Sequence, residues 1–401
     1  MAGIILLLLG YVMSQFYRSF LAVLSPVLSG ELGMSAGDLA NASAAWYIVF
    51  ALAQFPIGYW LDVYGPRRTA GYLLLVGGAG GIGLFAQADN GNMIIVSMGL
   101  IGLGCAPVLM ASFFLFARMY DESRFATLAS LFVGLGTLGN VIGTEPLAAA
   151  IGHFGWRNVA VMLCVTTAVV AAGILLVVRD PELVKKTDRR GSVTDLLKIR
   201  ELWLIIPVIF ISYGVVINIR GLWAGPFLSE MYGLETAQIG QVTLYMALSL
   251  AAGSVCYGPM DRIFRTRKWV VLTGNLVVLA SLTWLFFHLG QELWKVIAGF
   301  AAIGFFGAGY ALQMAHGKAF VPAHLTGRGV TLLNFFSIGG AGVLQYLSGF
   351  TVETVRRNSG VDSSYEAMFA FYLLALAGAL AIYLFSRDAK PLSLKKSASK
   401  A

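Results

Sequence analysis

Two arginines in this chain stand where an arginine is hardest to keep. Arg18 and Arg220 each lie inside a long apolar run, eight residues before Pro26 and six before Pro226. A guanidinium near the centre of a bilayer costs about 2.5–3.5 kcal/mol on insertion scales, and it cannot shed its proton to escape that cost. Two of them at similar depth also repel each other. An anion lodged between them offsets both penalties, and the planar donor fork matches a carboxylate, phosphate, sulfonate or nitrate. The competing use is a structural ion pair. Glu145 is the one carboxylate well inside an apolar run, and it could neutralise one arginine at most.

Helical phase extends the set. Ser14, Arg18, Ala22 and Ser25 share one face, and Tyr213, Trp223 and Ala224 share the face of Arg220. Further polar stripes run through Ser43, Tyr47 and Gln54, through Gln313 and His316, and through Asn334, Ser337, Ala341 and Gln345. Ser14, Tyr47, Gln54, Trp223, Gln313 and Asn334 therefore join the arginines as candidate substrate contacts. A hydrogen bond between packed helices is the alternative for each. Glu145 is a candidate proton-coupling group, because a buried carboxyl can cycle between charged and neutral forms; packing beside Pro146 is its alternative. The glycine run from Gly77 to Gly83 evokes a nucleotide loop, but it sits in an apolar stretch with no lysine after it, so close helix packing is expected. The four histidines are scattered and no nucleophile–base set shares a depth, so neither a metal site, a cofactor nor an enzyme is expected. Cys105, Cys164 and Cys256 fall in apolar runs as packing residues.

The elements that must position these groups follow from composition. Hydrophobic residues make up 58%, charged residues only 12%, and mean hydropathy is +0.77. A water-facing surface needs about 25% charge, so the solvent is a bilayer. Apolar runs near 3–28, 38–60, 69–87, 92–117, 124–150, 157–178, 202–228, 236–259, 269–288, 292–317, 327–354 and 365–386 predict an all-α membrane protein of twelve transmembrane helices. The runs lack the alternation of a membrane β-barrel. Arg18 interrupts the first run, which argues for a retained helix rather than a signal peptide, and the missing basic start suggests that a few residues precede it. Of the 28 basic residues, 22 fall in the even-numbered connections and the tail. Both termini and the central loop are then cytoplasmic, as expected for an inner-membrane protein. The same distribution removes nucleic acid as the reason for the +8 charge and assigns the basic tail to the lipid surface.

An internal repeat divides the chain. Pro26, Leu28, Ser29 and Gly33 recur as Pro226, Leu228, Ser229 and Gly233. Asp62 and Asp261 follow at nearly the same interval, each before a basic cluster. The division is residues 1–178, a linker 179–200, residues 201–387 and a tail 388–401: the plan of a transporter with a midplane site between its halves.

The connection Gly58-Tyr-Trp-Leu-Asp62-Val-Tyr-Gly65-Pro-Arg67-Arg68 resembles the signature of the major facilitator superfamily, departing at Val63. Its second copy, Gly258-Pro-Met-Asp261-Arg262-Ile-Phe-Arg265-Thr-Arg267-Lys268, keeps the acidic and basic residues without the glycine spacing. Gly155-Trp156-Arg157 is similar to the superfamily as well. The resemblance implies two pseudo-symmetric six-helix bundles and a conformational gate at Gly58, Asp62, Gly65, Arg67, Arg68, Asp261, Arg262 and Arg265. Asp62 is expected to meet the start of the eleventh span, and Asp261 that of the fifth. The segment from Tyr17 through Arg18 to Pro26 resembles the first helix of anion-transporting branches, the organophosphate:phosphate antiporters and anion:cation symporters, which adds Tyr17 to the candidates. A basic residue common early in helix four would fall at Met98, and the antiporter pattern of helix five is only partial in Gly139-Asn-Val-Ile-Gly143-Thr-Glu-Pro146.

The expectation is a monomeric secondary transporter of a small anion, with a proton or sodium ion as the possible coupling ion. A proton-coupled exporter of drugs or metabolites and a non-transporting membrane sensor are its alternatives.

Overall fold

The computed structural model describes residues 2–119, 128, 131–180, 193–322 and 325–389; the side chains of Asp62, Ala117, Val193, Thr194 and residues 326–328 lie outside that description. Helices dominate throughout. The first span is a bent pair, Ala2–Tyr17 and Phe20–Leu32, turning by 48°. Spans two, three, four and six are Ala36–Leu61, Val63–Ala86, Gly91–Phe116 and Trp156–Val177. Seven to ten are Arg200–Tyr232, Thr236–Phe264, Lys268–Phe287 and Leu293–Lys318. The fifth contributes Leu131–Ile142 and Glu145–Phe154.

The apolar stretch Gly329–Tyr383 has 55 residues. At 1.5 Å per residue it is about 80 Å long, far more than a bilayer core of about 30 Å. Gly360, with φ 88°, breaks it into the eleventh and twelfth spans. A connection expected over 355–364 is therefore one glycine between two helical ends. Hydropathy stops at the first charged residues, whereas the helix continues through Arg356 and Arg357 because the ends of a span lie in polar surroundings.

Local chemistry repeats along with the spans. Gly33 and Gly233 end the first and seventh spans in the left-handed region, with φ 63° and 64°. Capping boxes, Ser35 with Asp38 and Glu235 with Gln238, then start the second and eighth. The glycine run does pack helices: a Cβ on Gly77 would sit 2.8 Å from the Gly104 nitrogen, one on Gly81 2.8 Å from the Ile101 nitrogen, and Gly104 meets the backbone of Gly78.

The first six and last six spans meet closely on the side opposite the basic connections. Gly225 of span seven rests on the Ala22 carbonyl, Gly240 of span eight lies against Ala148, and Gly349 of span eleven against Ala40. The last two contacts are pseudo-symmetric mates. Outside them, each half carries its own clamp at this end. Glu31 accepts from Trp156 Nε1 at 2.9 Å and Arg157 Nη1 at 2.6 Å. Glu230 accepts from Arg356 at 3.1 and 2.6 Å and from the Tyr365 hydroxyl at 3.0 Å.

At the basic end, acidic residues after the sixth and twelfth spans cap the starts of the third and ninth. Asp180 accepts the Arg67 N–H at 2.7 Å, and Asp388 accepts those of Arg267 and Lys268 at 3.1 and 3.0 Å. A Cβ on Gly65, φ 81°, would strike the Asp180 carboxylate at 2.6 Å, so the glycine is needed there. Hydrogen bonds from Thr266 and from the Lys268 and Arg267 N–H groups outweigh burial and hold the Asp388 carboxyl below its usual range.

Candidate functional site

Arg18 and Ser19 occupy the break between the two halves of the first span. Arg220 lies in a π-helical turn, Ile219–Trp223, within the seventh. Both arginines thus sit where the α-helix is interrupted, a common mark of functional positions. They are 8% and 1% exposed. A Cβ on Gly221 would lie 2.6 Å from the Arg18 carbonyl, so the two irregular segments touch.

Arg18 Nη1 donates to the Tyr213 hydroxyl at 3.1 Å, and its guanidinium lies 5.2 Å from the Trp46 ring and 5.0 Å from that of Phe50. Arg220 Nη2 donates to Asn140 Oδ1 at 2.9 Å. Neither arginine forms an ion pair with a carboxylate among the described residues. Arg18 Nε, Arg220 Nε and Arg220 Nη1 are buried without a hydrogen-bond partner. The arrangement is a pair of fixed positive charges with spare donors and a lining of hydroxyl and aromatic groups. Chemically it can hold a small anion.

The sequence candidates divide. Tyr47 donates to the Arg18 carbonyl at 3.3 Å, and Asn334 accepts from Tyr310 at 2.6 Å. Tyr310 packs on Tyr213 with ring centroids 5.1 Å apart, which connects Asn334 to the arginine cluster. Ser14 is buried one turn before Arg18 with its hydroxyl unpartnered. Gln313 donates to Ser212 at 2.9 Å and leaves its carbonyl oxygen unpartnered.

Three others serve helix packing. Tyr17 shares a 2.8 Å hydrogen bond with Thr167 of span six. Gln54 donates to the carbonyls of Phe50 and Ala106, both at 3.3 Å. Trp223 Nε1 faces Ser348 at 3.0 Å and Tyr372 at 3.1 Å. Glu145 lies in the first turn of its helix, its backbone against Gly240, and pairs with neither arginine.

Among the gate residues, Arg67 pairs with Asp180 at 3.7 Å. Asp261 pairs with Arg267 at 3.1 Å, within its own half. Arg68, Arg262 and Arg265 are exposed, and Gly58 faces open space. The Asp62 side chain and the start of span five near residue 124 lie outside the described residues, as do the side chains at the start of span eleven.

Asn140, Trp46 and Phe50 were not among the candidates. Gly139 and Gly143 flank Asn140 and let span five lie on the backbone of Val12–Phe16 and against Ser19, which carries Asn140 to the arginines. That glycine spacing was the available signal.

Twelve spans in two repeats, with fixed charges enclosed at the junction of the halves, define a polytopic membrane transporter rather than an enzyme. Residues 7–337 match the Major Facilitator Superfamily, and the chain belongs to it. It is 25% identical over 284 residues to the "Probable L-galactonate transporter" of Escherichia coli K12, covering 64% of this chain and 60% of that one. To the "Inner membrane protein YihN" of the same strain it is 25% identical over 343 residues, 79% of each chain. The "Hexuronate transporter" of that strain is 23% identical, over 69% of this chain and 70% of its own. In fold, the chain is similar to an inward-facing, unoccupied bacterial homolog of the human lysosomal transporter Spinster, with TM-score 0.78, 15% identity and coverage of 97% and 98%.

Proposed function

We propose that this protein is a secondary transporter of a small organic anion, carried across a bacterial inner membrane by alternating access, with Arg18 and Arg220 as the anion-binding pair. The observation that carries the reading is the two buried guanidiniums, in contacting helix irregularities, with three spare nitrogens and no carboxylate partner among the described residues. A carboxylate or sulfonate accepts from both forks. The hydroxyl and amide groups of Tyr47, Tyr213, Asn140, Gln313 and Asn334 suit a substrate that also bears hydroxyls. Relatives named for galactonate, hexuronate and sulfoacetate support the same class.

The halves 1–178 and 201–387 rock about this site, with the basic connections and both termini in the cytoplasm. The Arg67–Asp180 and Arg267–Asp261 pairs shape the cytoplasmic gate, together with Gly58, Asp62, Gly65, Arg68, Arg262 and Arg265.

The test is thermal stabilisation and uptake by the reconstituted protein with L-galactonate, galacturonate, sulfoacetate and nitrate. Arg18→Ala and Arg220→Ala are each expected to weaken binding about tenfold to a hundredfold, the worth of a charged hydrogen bond at about 1.5–3 kcal/mol. Unchanged affinity in both variants would end the site assignment.

A further inference from the structure

The polar stripe of span eleven ends at Gln345, whose side chain is completely buried. Its Oε1 and Nε2 both lack a hydrogen-bond partner among the described residues. Every other buried Asn or Gln among them has at least one end bonded: Gln15 to Tyr11, Gln54 to Phe50 and Ala106, Asn140 to Arg220, Asn218 to Ala341, Asn275 to Val271 and Gln313 to Ser212. An amide sealed from water with both ends free is costly to keep, and an apolar side chain of the same size removes that cost. Helix packing alone gives no reason for a glutamine at this position.

Its place is fixed from two sides. Span seven grips span eleven before and after it: Asn218 Nδ2 donates to the Ala341 carbonyl at 3.0 Å, and Trp223 Nε1 to Ser348 Oγ at 3.0 Å. Arg220 lies between Asn218 and Trp223 on one helix, as Gln345 lies between Ala341 and Ser348 on the other. One turn before Gln345, a Cβ on Gly342 would lie 3.0 Å from that of Tyr47, whose hydroxyl bonds the Arg18 carbonyl at 3.3 Å. Val343 and Leu347, two residues to either side and roughly 160° around the helix, are the outward-facing, exposed ones. Gln345 thus points inward, beside the turn that carries Arg220.

We propose that Gln345 is a specificity-determining residue that selects a hydroxylated carboxylate: the carboxylate rests on the arginines, and a hydroxyl of the same molecule fills the amide. The inference rests on the anion reading above and deepens it to the substrate's neutral end. Oε1 only accepts and Nε2 only donates, so the group that satisfies both must do both. A hydroxyl, or a pair on adjacent carbons, does. Nitrate, a carboxylate and a sulfonate only accept, so none of them can satisfy Oε1. Axes of packed helices lie about 8–10 Å apart, which places the hydroxyl on one of the first carbons after the carboxylate. A site built to bond a hydroxyl rejects the analogue without it, because the amide is then left unpaired in the complex.

The experiment titrates the purified full chain with glycerate and propionate, which share a three-carbon chain and one carboxylate and differ in two hydroxyls. L-galactonate and nitrate are titrated in parallel. The wild type is expected to bind glycerate at least about tenfold more tightly than propionate. Gln345→Met keeps the length of the side chain and removes both polar ends. It is expected to weaken glycerate and L-galactonate about tenfold, to leave propionate and nitrate within about twofold, and not to lower the thermal midpoint of the ligand-free protein. A lower midpoint with all four anions weakened alike would mean a packing role and overturn the proposal, as would a variant that keeps the preference for glycerate. A wild type that binds propionate as tightly as glycerate overturns it without any variant and leaves the anion reading standing. If the wild type binds none of the four, the anion reading falls and the selection falls with it.

Discussion

Arg220 and Trp223 are three residues apart in one buried turn, yet they do different work. Arg220 keeps two nitrogens free, whereas the Trp223 indole N–H is already shared between Ser348 and Tyr372. Arg220→Lys, which gives up the planar fork but keeps the charge, is expected to weaken anion binding about tenfold with little change in thermal midpoint. Trp223→Phe and Gln54→Leu are expected to do the reverse: lower the thermal midpoint, at about 1 kcal/mol per lost hydrogen bond, and leave affinity intact. Ligand titration and melting of the same preparations separate the two classes. The arginines were legible in the sequence because a permanent charge in an apolar run has few explanations. Nothing in the sequence separated Gln54, Trp223 and Tyr17 from Ser14, Tyr47, Gln313 and Asn334. Helical phase says which residues share a face, and only packing shows that the face meets Ala106, Ser348 or Thr167.

At the scale of the helices, glycine and acidic caps set the geometry. Gly104 meets the Gly78 backbone, so Gly104→Val is expected to push spans three and four apart, with folded yield in detergent falling by more than half. Asp388 ties the end of the twelfth span to the start of the ninth. Its carboxyl is held below the usual range, so its contribution to stability is complete above the unfolded value of about 3.9 and is lost as pH falls through the lower folded value. Asp388→Asn is therefore expected to lower the thermal midpoint at pH 7, and the gap to wild type should narrow progressively below pH 4. Span existence was legible from apolar runs alone, and the short turns followed from Gly33, Ser35 and their repeats. The junction at Gly360 was hidden because Glu353, Arg356 and Arg357 look like loop. Asp180 and Asp388 were hidden because they lie more than 110 residues from the N–H groups they cap.

Across the molecule, the repeat reaches further than the shared Pro-Leu-Ser-Gly segment. Glu31 with Trp156 and Arg157, and Glu230 with Arg356 and Tyr365, are the same clamp built twice, with an aromatic donor and an arginine on one carboxylate. Both clamps join residues within the first six or within the last six spans. Glu31→Gln is expected to lower the thermal midpoint while leaving anion affinity unchanged, which melting and ligand titration of the same preparation would check. The shared Pro-Leu-Ser-Gly segment made the repeat legible, whereas the crossing of the two arginines was not, because both acceptors are neutral residues of ordinary type.

The reach of Arg18 to Tyr213 spans 195 positions of sequence. A ribosome adding about 5–20 residues per second needs roughly 10–40 s to cover that distance. Throughout that time Arg18 has its aromatic neighbours Trp46 and Phe50 but not yet the hydroxyl it bonds. Nascent chains stalled before residue 213 should therefore be cleared faster than those stalled after it.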